Sequence, residues 1–294
     1  MDKLNGMIIK LTGGFYYVEA AGQVYACKAR GVFRKQGASP YVGDRVEISV
    51  QPDGTGAVDT ILPRKNRLVR PAVANLDRLF IVASVCDPAP NTLVIDKMSA
   101  AAVSKEIEPV IVVSKTDLKR SDSLKEIYDM AGIRTVCFSM KDNSGADEIK
   151  ALLYGCVAAF TGNSGVGKST LLNSVFPHLS LETSHTSQKL GRGRHTTRTV
   201  ELFPTDGGYV ADTPGFSTVD MQRYELIKKE DLPYCFPEFR EYLGDCQFTS
   251  CAHVKEKGCA IREAVEKGKI HPSRFASYVA MYEEVKNIRE WELK

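Results

Sequence analysis

A glycine-rich segment that ends in a lysine and a serine lies just past the middle of the chain. It has the spacing Gly-x-x-x-x-Gly-Lys-Ser, and its residues are Gly162, Asn163, Ser164, Gly165, Val166, Gly167, Lys168 and Ser169. An apolar strand pattern at 156–160 precedes it and an apolar helix pattern begins at Thr170, which is the context that a phosphate-binding loop requires. In such a loop, backbone N–H groups surround phosphate oxygens, the lysine reaches the β- and γ-phosphates and the serine hydroxyl binds magnesium. The segment, together with Thr170, therefore predicts a nucleoside triphosphate site that works with Mg²⁺.

A second motif of the same chemistry follows an apolar strand pattern at 208–211. Asp212 and Gly215 have the spacing Asp-x-x-Gly, in which the carboxylate holds magnesium and the glycine amide contacts the γ-phosphate. We therefore predict that Asp212 is a magnesium ligand and that Gly215 senses the γ-phosphate.

The residues that would select the base follow the apolar strand pattern at 109–113, and they are Ser114, Lys115, Thr116 and Asp117. They resemble the Asn-Lys-x-Asp guanine reader of GTPases. An aspartate carboxylate offers two acceptors side by side, which pair with the N1–H and the exocyclic amine of guanine, whereas adenine would leave them unpaired. We predict that Asp117 selects guanine and that the Lys115 stem lies along the ring.

A second loop at the base site is predicted after the strand pattern that ends at 138. Ser139 and Met140 are similar to the start of the Ser-Ala-Lys loop, which offers a backbone amide to the guanine oxygen. Met140 replaces the usual alanine, and Ser114 replaces the usual asparagine of the first loop. Because a serine makes fewer hydrogen bonds than an asparagine, Ser114 is expected to loosen nucleotide binding.

The order of these motifs departs from that of an ordinary GTPase, in which the phosphate loop comes first and the guanine reader last. Here the base-reading segments 114–117 and 139–141 precede the phosphate loop at 162–169. A domain keeps its sheet after circular permutation if its original termini lay close together. The order therefore predicts a circularly permuted GTPase domain, and the residues beyond 220 are attached directly to the segment that senses the γ-phosphate.

A polar, glycine-rich loop at 190–198 lies between the phosphate loop and Asp212 and predicts a switch that orders with GTP. Either Thr196 or Thr197 is expected to close on magnesium and the γ-phosphate. After Gly215, where Ras-like proteins place a glutamine that orients the attacking water, this chain has Phe216, which cannot hydrogen-bond to water. We predict that His195, a neutral imidazole beside the two threonines, positions the water as a catalytic residue together with Lys168.

Four potential metal ligands lie close together near the C-terminus: Cys246, Cys251, His253 and Cys259. Three cysteines and one histidine make a closed tetrahedral zinc site with no open position for a catalytic water. We predict one structural Zn²⁺ per chain, with helices at 260–266 and 272–291 packed around it. Four nearby basic side chains are expected to contact an RNA backbone, and they are Arg262, Lys267, Lys269 and Arg274.

The phosphate and base motifs need a sheet of parallel strands to position them. Continuous apolar runs are typical of strands buried on both faces of such a sheet. They lie at 79–85, 109–113, 133–138 and 156–160. Ser123 and Glu126 form a helix capping box and Gly132 closes that helix. The predicted fold class is α/β, with a doubly wound, mostly parallel sheet.

The N-terminal segment shows a different pattern, with short strands separated by turn residues. The predicted strands lie at 6–10, 15–20, 23–29, 45–50 and 57–62. Residues 1–70 carry 11 Lys and Arg against 6 acidic residues. A small OB-fold-like barrel that binds RNA is the preferred interpretation, because basic residues alternate with aromatic rings. The candidates are Lys28, Arg30, Arg34, Lys35 and Arg45 with Tyr16, Tyr17, Tyr25, Phe33 and Tyr41. The alternative is that half of the rings form the core and the basic residues a solvated face.

Composition and length complete the prediction. With 294 residues, 43% of them hydrophobic, the chain suffices for two or three domains. We place the barrel at 1–66, the permuted GTPase domain at 67–220 and a helical zinc-binding domain at 221–294, with a linker at 63–71. Neither a membrane-spanning segment nor a signal peptide is predicted, so we expect a soluble, cytoplasmic protein whose thiols outside the zinc cluster are reduced.

Taken together, these residues resemble the circularly permuted, ribosome small-subunit-dependent GTPases of bacteria. The resemblance covers essentially the whole chain, and its most specific elements are the permuted motif order, Phe216 after Gly215, the switch around His195 and the four zinc ligands. It implies a role in late maturation of the small ribosomal subunit, with binding to that subunit and its rRNA and subunit-stimulated hydrolysis of GTP to GDP. A chain that is monomeric when free, without a membrane partner, is expected.

Two other interpretations remain open at the level of the sequence. The chain could be a nucleotide-gated RNA-binding module in which hydrolysis is incidental. It could also be a permuted GTPase that acts on another RNA particle, such as the large ribosomal subunit.

Overall fold

The computed structural model describes residues 2–29, 33, 39–68, 72–177, 200–212 and 227–288. The chain divides into two compact units. The first contains residues 1–78, 150–160 and 182–216, and the second contains residues 79–149, 161–181 and 217–294. Among the described residues, no helix combines the length and the apolar character needed to cross a membrane.

The first unit contains a closed five-stranded barrel. Its strands are β1 (Asp2–Thr12), β2 (Phe15–Ala20), β3 (Gln23–Ala29), β4 (Arg45–Val50) and β5 (Gly56–Ile61). They pair in the order β1-β2-β3-β5-β4, and β4 returns to β1, which closes the barrel. β3 and β5 are parallel and the other pairs are antiparallel, as in an OB-fold. The predicted barrel is confirmed.

Alternating side chains fill the barrel interior, as expected for strands with one buried face. Ile8, Val18, Val46, Ile48 and Val58 are all fully buried. Phe33 packs in the same core, so the prediction that its ring could stack on a nucleic acid base is wrong. Of the basic candidates, Arg30, Arg34 and Lys35 lie outside the described residues.

The two halves of strand β1 pair with different strands. A bulge between Ile8 and Lys10 divides it, and its first half pairs with β4. Its second half pairs with β12 (Glu201–Thr205), with Lys10 opposite Glu201. β12 continues antiparallel into β13 (Gly208–Asp212), and β13 runs parallel to β11 (Val157–Thr161).

The predicted linker at 63–71 is held to the barrel in its described part. Arg64 donates from Nε and a terminal nitrogen to the two carboxylate oxygens of the fully buried Asp44, at 2.6 and 2.7 Å. The next residues form β6 (Arg67–Leu68), which pairs with β7 (Val73–Ala74). This segment is therefore fixed on the barrel and is not a free tether.

The second unit begins with strands β8 (Arg78–Ser84), β9 (Glu108–Ser114) and β10 (Thr135–Cys137), which are adjacent in that order. β9 and β10 are parallel. The helices that follow the strands are α1 (Thr92–Ser104), α2 (Asp122–Met130), α3 (Ala146–Leu153) and α4 (Lys168–Val175). Helix α2 begins one residue before Ser123, with Ser121 at its N-cap, so the predicted capping box is wrong.

The C-terminal module, residues 227–288, has short 3-10 helices at Leu232–Cys235 and Pro237–Tyr242, followed by α5 (Ala260–Glu266) and α6 (Pro272–Val285). Its core is aromatic. The Phe236 and Phe239 rings lie 5.1 Å apart, and the Tyr278 ring meets both edge-on at 5.4 and 5.0 Å. α6 ends at Val285, earlier than the predicted 291.

Candidate nucleotide site and metal centre

The phosphate-binding motif lies where the sequence predicts, between strand β11 and helix α4. Lys168 and Ser169 are the first two residues of α4, and the exposed Thr170 is the third. A helix N-terminus presents backbone N–H groups that have no partner within the helix, together with the positive end of the helix dipole. The arrangement can bind phosphate oxygens with backbone groups alone.

Two glycines of this loop are required by their surroundings. A Cβ on Gly162 would lie 2.5 Å from the carbonyl oxygen of Val82. Gly167, the N-cap of α4, has φ +91°, and a Cβ there would lie 2.3 Å from Cε of Met140. A side chain at either position would therefore displace neighbouring atoms, and at Gly167 it would also strain the backbone.

A buried serine ties the guanine reader to the phosphate loop. Ser114 is fully buried at the end of β9, and its Oγ lies 2.7 Å from the Val166 carbonyl oxygen and 3.3 Å from that of Ala83. A hydroxyl has one proton, so the shorter contact is the donated hydrogen bond. The tie between the loops that an asparagine would provide is thus present with the shorter side chain.

We predict that Ser114→Ala lowers the free energy of unfolding by about 1–3 kcal/mol, because the Val166 carbonyl would stay buried without its donor. Denaturant unfolding followed by circular dichroism measures this difference. Ser104→Ala is the matched control, since the Ser104 hydroxyl bonds to the carbonyl oxygen of Ala101 in its own helix. Equal stability of Ser114→Ala and the wild type would show that the tie contributes nothing.

The remaining residues of the guanine reader turn outward after Ser114. Lys115 has φ +60°, and its Nζ donates to the carbonyl oxygen of Asp87. Thr116 is half-buried, with its backbone N–H 3.4 Å from the Phe138 carbonyl oxygen. Asp117 is exposed, so its carboxylate is accessible to a base.

The second base-reading loop also contacts the phosphate loop and its helix. The half-buried Met140 side chain lies against Gly167. Farther along, the hydroxyl of Ser174 in α4 donates to Oδ1 of Asn143 at 2.6 Å. The buried Ser139 is held by its backbone N–H, which bonds to the Ser144 carbonyl at 3.2 Å. The structure thus brings both predicted base-reading loops to the phosphate loop.

Other predicted nucleotide-site residues are described only in part or not at all. Asp212 is the last residue of β13, whose Ala211 lies opposite Ala159 of β11. The predicted switch and γ-phosphate residues lie outside the described residues, and they are His195, Thr196, Thr197, Gly215 and Phe216.

The four predicted zinc ligands converge in the C-terminal module. Their ligand atoms all lie within 4.8 Å of one another. Nδ1 of His253 is 3.4 Å from Sγ of Cys246 and 3.5 Å from Sγ of Cys259, and the two sulfurs are 4.0 Å apart. Tetrahedral zinc with bonds of about 2.3 Å to sulfur places two sulfurs about 3.8 Å apart. Cys246, Cys251, His253 and Cys259 therefore fit a tetrahedral Zn²⁺ with Nδ1 as the histidine ligand.

The surroundings of this cluster support its geometry. Burial lowers the pKa of His253, so the imidazole is neutral and can act as a ligand. The Tyr278 hydroxyl donates to the carbonyl of Ala252 at 2.8 Å, which fixes the chain between two ligands. No disulfide joins any of the eight cysteines, all of which the structure describes.

Known proteins resemble this chain over nearly its whole length. The RsgA GTPase family matches residues 61–222, and the RsgA N-terminal domain family matches residues 5–58. A small ribosomal subunit biogenesis GTPase RsgA of Streptococcus pyogenes is 43% identical over 287 residues, which cover 98% of this chain and 97% of the relative. The chain belongs to the RsgA GTPase family.

Solved structures support membership of the RsgA GTPase family. YjeQ from Thermotoga maritima superposes with a TM-score of 0.83 at 36% identity, over 98% of this chain and 100% of YjeQ. YloQ, a circularly permuted GTPase, superposes with a TM-score of 0.81 at 34% identity, over 97% and 96% of the two chains. The α/β fold with a circularly permuted GTPase domain, predicted from the order of the motifs, is confirmed.

A further prediction is wrong in this member of the RsgA GTPase family. Arg274 was expected to contact an RNA backbone, but it is 1% exposed and its guanidinium binds Asp96 and Glu238. Burial by itself would lower the pKa of Arg274, but the adjacent carboxylates of Asp96 and Glu238 raise that pKa. The signal that sequence reasoning missed is Asp96, the only acidic residue in the apolar helix α1, because a lone acid on such a helix needs a buried partner.

Proposed function

We propose that this chain is a GTP hydrolase that binds the small ribosomal subunit and its rRNA and assists its late maturation. The observation that carries the GTPase proposal is the buried Ser114 hydrogen bond to Val166, which joins a guanine-reading segment to a phosphate-binding loop. The ribosomal part rests on the name of relatives that are 43% identical over nearly the whole chain.

We assign the phosphates to residues 162–170, with Lys168 at the β- and γ-phosphates, and the base to residues 114–117 and to Ser139 and Met140. Mg²⁺ would be held by Ser169, Asp212 and either Thr196 or Thr197, and it would neutralise developing charge on the phosphates. Gly215 would contact the γ-phosphate. The Asp-x-x-Gly spacing directly after strand β13 supports the assignment of Asp212.

The rest of the chain is assigned to partner binding and stability. We propose a barrel at 1–66, a GTPase domain at 67–220 and a zinc-binding domain at 221–294, and the family matches at 5–58 and 61–222 support these boundaries. The barrel would contact rRNA through its basic and aromatic side chains. Lys28 supports this role, since its Nζ lies 5.3 Å from the centre of the Phe15 ring, which is 36% exposed. A structural Zn²⁺, a cytoplasmic location and a monomeric free state complete the proposal.

The deciding experiment is GTP hydrolysis by the full-length, zinc-loaded protein, alone and with small subunits, large subunits or bare rRNA. Stimulation by small subunits alone is the expected result. Stimulation by large subunits would indicate that the protein acts on the large ribosomal subunit instead. Hydrolysis that no partner accelerates would favour a nucleotide-gated RNA-binding module.

Catalysis would depend on His195, because Phe216 offers no hydrogen bond to the attacking water. We predict that His195→Ala leaves GTP affinity within about twofold and lowers subunit-stimulated hydrolysis about 100-fold, the usual scale for losing one general base. Single-turnover hydrolysis with saturating small subunits measures the effect. His185→Ala, which changes a histidine ten positions earlier in the sequence with no assigned role, serves as the control. Unchanged stimulated hydrolysis in His195→Ala would exclude His195.

A further inference from the structure

A buried ion network joins the C-terminal module to helix α1. The Arg274 guanidinium donates to Oδ1 of Asp96 at 2.7 Å and to the two carboxylate oxygens of Glu238 at 2.6 and 3.1 Å. Asp96 is fully buried, and its Oδ1 also accepts from the hydroxyl of Tyr128 in α2 at 3.0 Å. The guanidinium carbon lies 4.7 Å from the centre of the Phe236 ring.

Such a network specifies one arrangement of its partners. Removing one partner from a buried ion network leaves an uncompensated charge, which strongly destabilises the arrangement. Arg274 on α6 therefore holds α1 at a fixed position along the module. A second pair between the same helices, Lys97 Nζ to Glu284 at 2.7 Å, is partly solvated and should contribute far less.

A short loop, residues 85–90, joins strand β8 to the start of helix α1 and contacts the guanine reader. At the helix end, Oδ1 of the N-cap residue Asn91 accepts from the Val94 N–H at 3.2 Å. Within the loop, the Ser84 hydroxyl donates to the Pro88 carbonyl at 2.6 Å. At the other end, the Val85 N–H bonds to the Ser114 carbonyl at 3.1 Å.

The loop also supports the residue that is assigned to the base itself. Lys115 Nζ donates to the Asp87 carbonyl, so the position of this lysine depends on where α1 holds the loop. A continuous set of contacts thus runs from the buried Arg274 through Asp96 and α1 to the base-reading Lys115.

We propose that Arg274 is a positioning residue for guanine-nucleotide binding, acting through Asp96, helix α1 and the 85–90 loop on Lys115. This coupling does not involve the γ-phosphate. It should therefore change affinity for GDP and GTP by the same factor, whereas coupling through a switch would change only GTP affinity. The inference rests on the proposed guanine-nucleotide site.

The test uses the full-length, zinc-loaded protein and fluorescent GDP and a non-hydrolysable GTP analogue. Arg274→Met should weaken both nucleotides equally, by at least about fivefold, the lower range for coupled sites. Arg274→Lys should recover part of the loss. Lys97→Met, which breaks the surface pair between the same two helices, is the matched control and should bind both nucleotides as the wild type does.

A double-mutant cycle separates positioning from a general loss of structure. Lys115→Met keeps the aliphatic stem but removes the hydrogen bond to Asp87, so Arg274→Met should have no further effect in that background. Additive losses, or a loss confined to the GTP analogue, would overturn the inference. If Arg274→Met does not fold, Glu238→Gln replaces it in the test, because this change leaves the pair between Arg274 and Asp96 intact. Glu238→Gln should weaken the binding of GDP and of the GTP analogue by one equal but smaller factor. Unchanged affinity of Glu238→Gln for both nucleotides would also overturn the inference. A wild-type chain that binds no guanine nucleotide would instead refute the proposed function.

Discussion

Replacing Asp117 with asparagine should transfer the nucleotide preference of this chain from guanosine to xanthosine. The carboxylate accepts two hydrogen bonds from guanine, and an asparagine offers one acceptor and one donor instead. Hydrogen bonds to charged groups contribute about 1.5–3 kcal/mol each, so the loss of two predicts GDP binding weaker by about 10²–10⁴-fold. Xanthine carries a carbonyl where guanine carries its amine, and this carbonyl accepts from the asparagine Nδ2.

Titration with fluorescent GDP and XDP, and hydrolysis of GTP and XTP, would measure this change of base preference. Asp122→Asn is the matched control, because it makes the same chemical change at an exposed carboxylate in the first turn of α2. The control should keep the preference for GDP. Loss of GDP binding without gain of XDP binding would mean that Asp117 supports the loop and does not read the base.

Loss of one cysteine of the metal cluster should unfold the C-terminal module. Cys259 is 4% exposed and its sulfur lies at hydrogen-bonding distance from His253 and near Cys246, so Cys259→Ser removes one corner of a closed site. Structural zinc contributes about 10–16 kcal/mol to the folding of small zinc-finger peptides at neutral pH. We expect the variant to contain no zinc and to lose the cooperative thermal transition of this module.

Metal content by mass spectrometry and thermal unfolding by near-ultraviolet circular dichroism would test this, since the module core contains Phe236, Phe239 and Tyr278. Cys156→Ser changes a cysteine outside the cluster and should retain one zinc per chain. A chelator added to the wild type should reproduce the Cys259→Ser behaviour. A full zinc equivalent and an unchanged transition in Cys259→Ser would refute the assignment of this ligand.

Features that depend on neighbouring residues could be predicted from the sequence. The phosphate loop, the guanine reader and the metal cluster each lie within one short segment, so spacing alone brings their groups together. The barrel strands can be recognised in the sequence because apolar and polar residues alternate along a strand that has one buried face. Helix ends were harder, and the capping box at Ser123 failed because the hydrogen bonds of the first turn, which the sequence does not display, begin at Ser121.

Contacts between distant segments could not be predicted in this way. Arg274 meets Asp96 across 178 positions, and nothing local distinguishes it from the solvated basic residues around it. Ser114 was expected only to lose hydrogen bonds, because its acceptor on Val166 lies 52 positions away. Phe33 was grouped with possible stacking rings, since its burial depends on how the barrel closes.

Because the two halves of strand β1 pair with different strands, the two pairings can form only at different times during translation. Its first half can pair with β4 as soon as about 50 residues are available, but the edge at Lys10 must wait for Glu201. At about 5–20 residues per second, translation of the roughly 150 residues in between leaves this edge open for about 8–30 s. An open edge invites pairing with other nascent chains, and the charge of Lys10 at that position opposes such pairing until its partner is made.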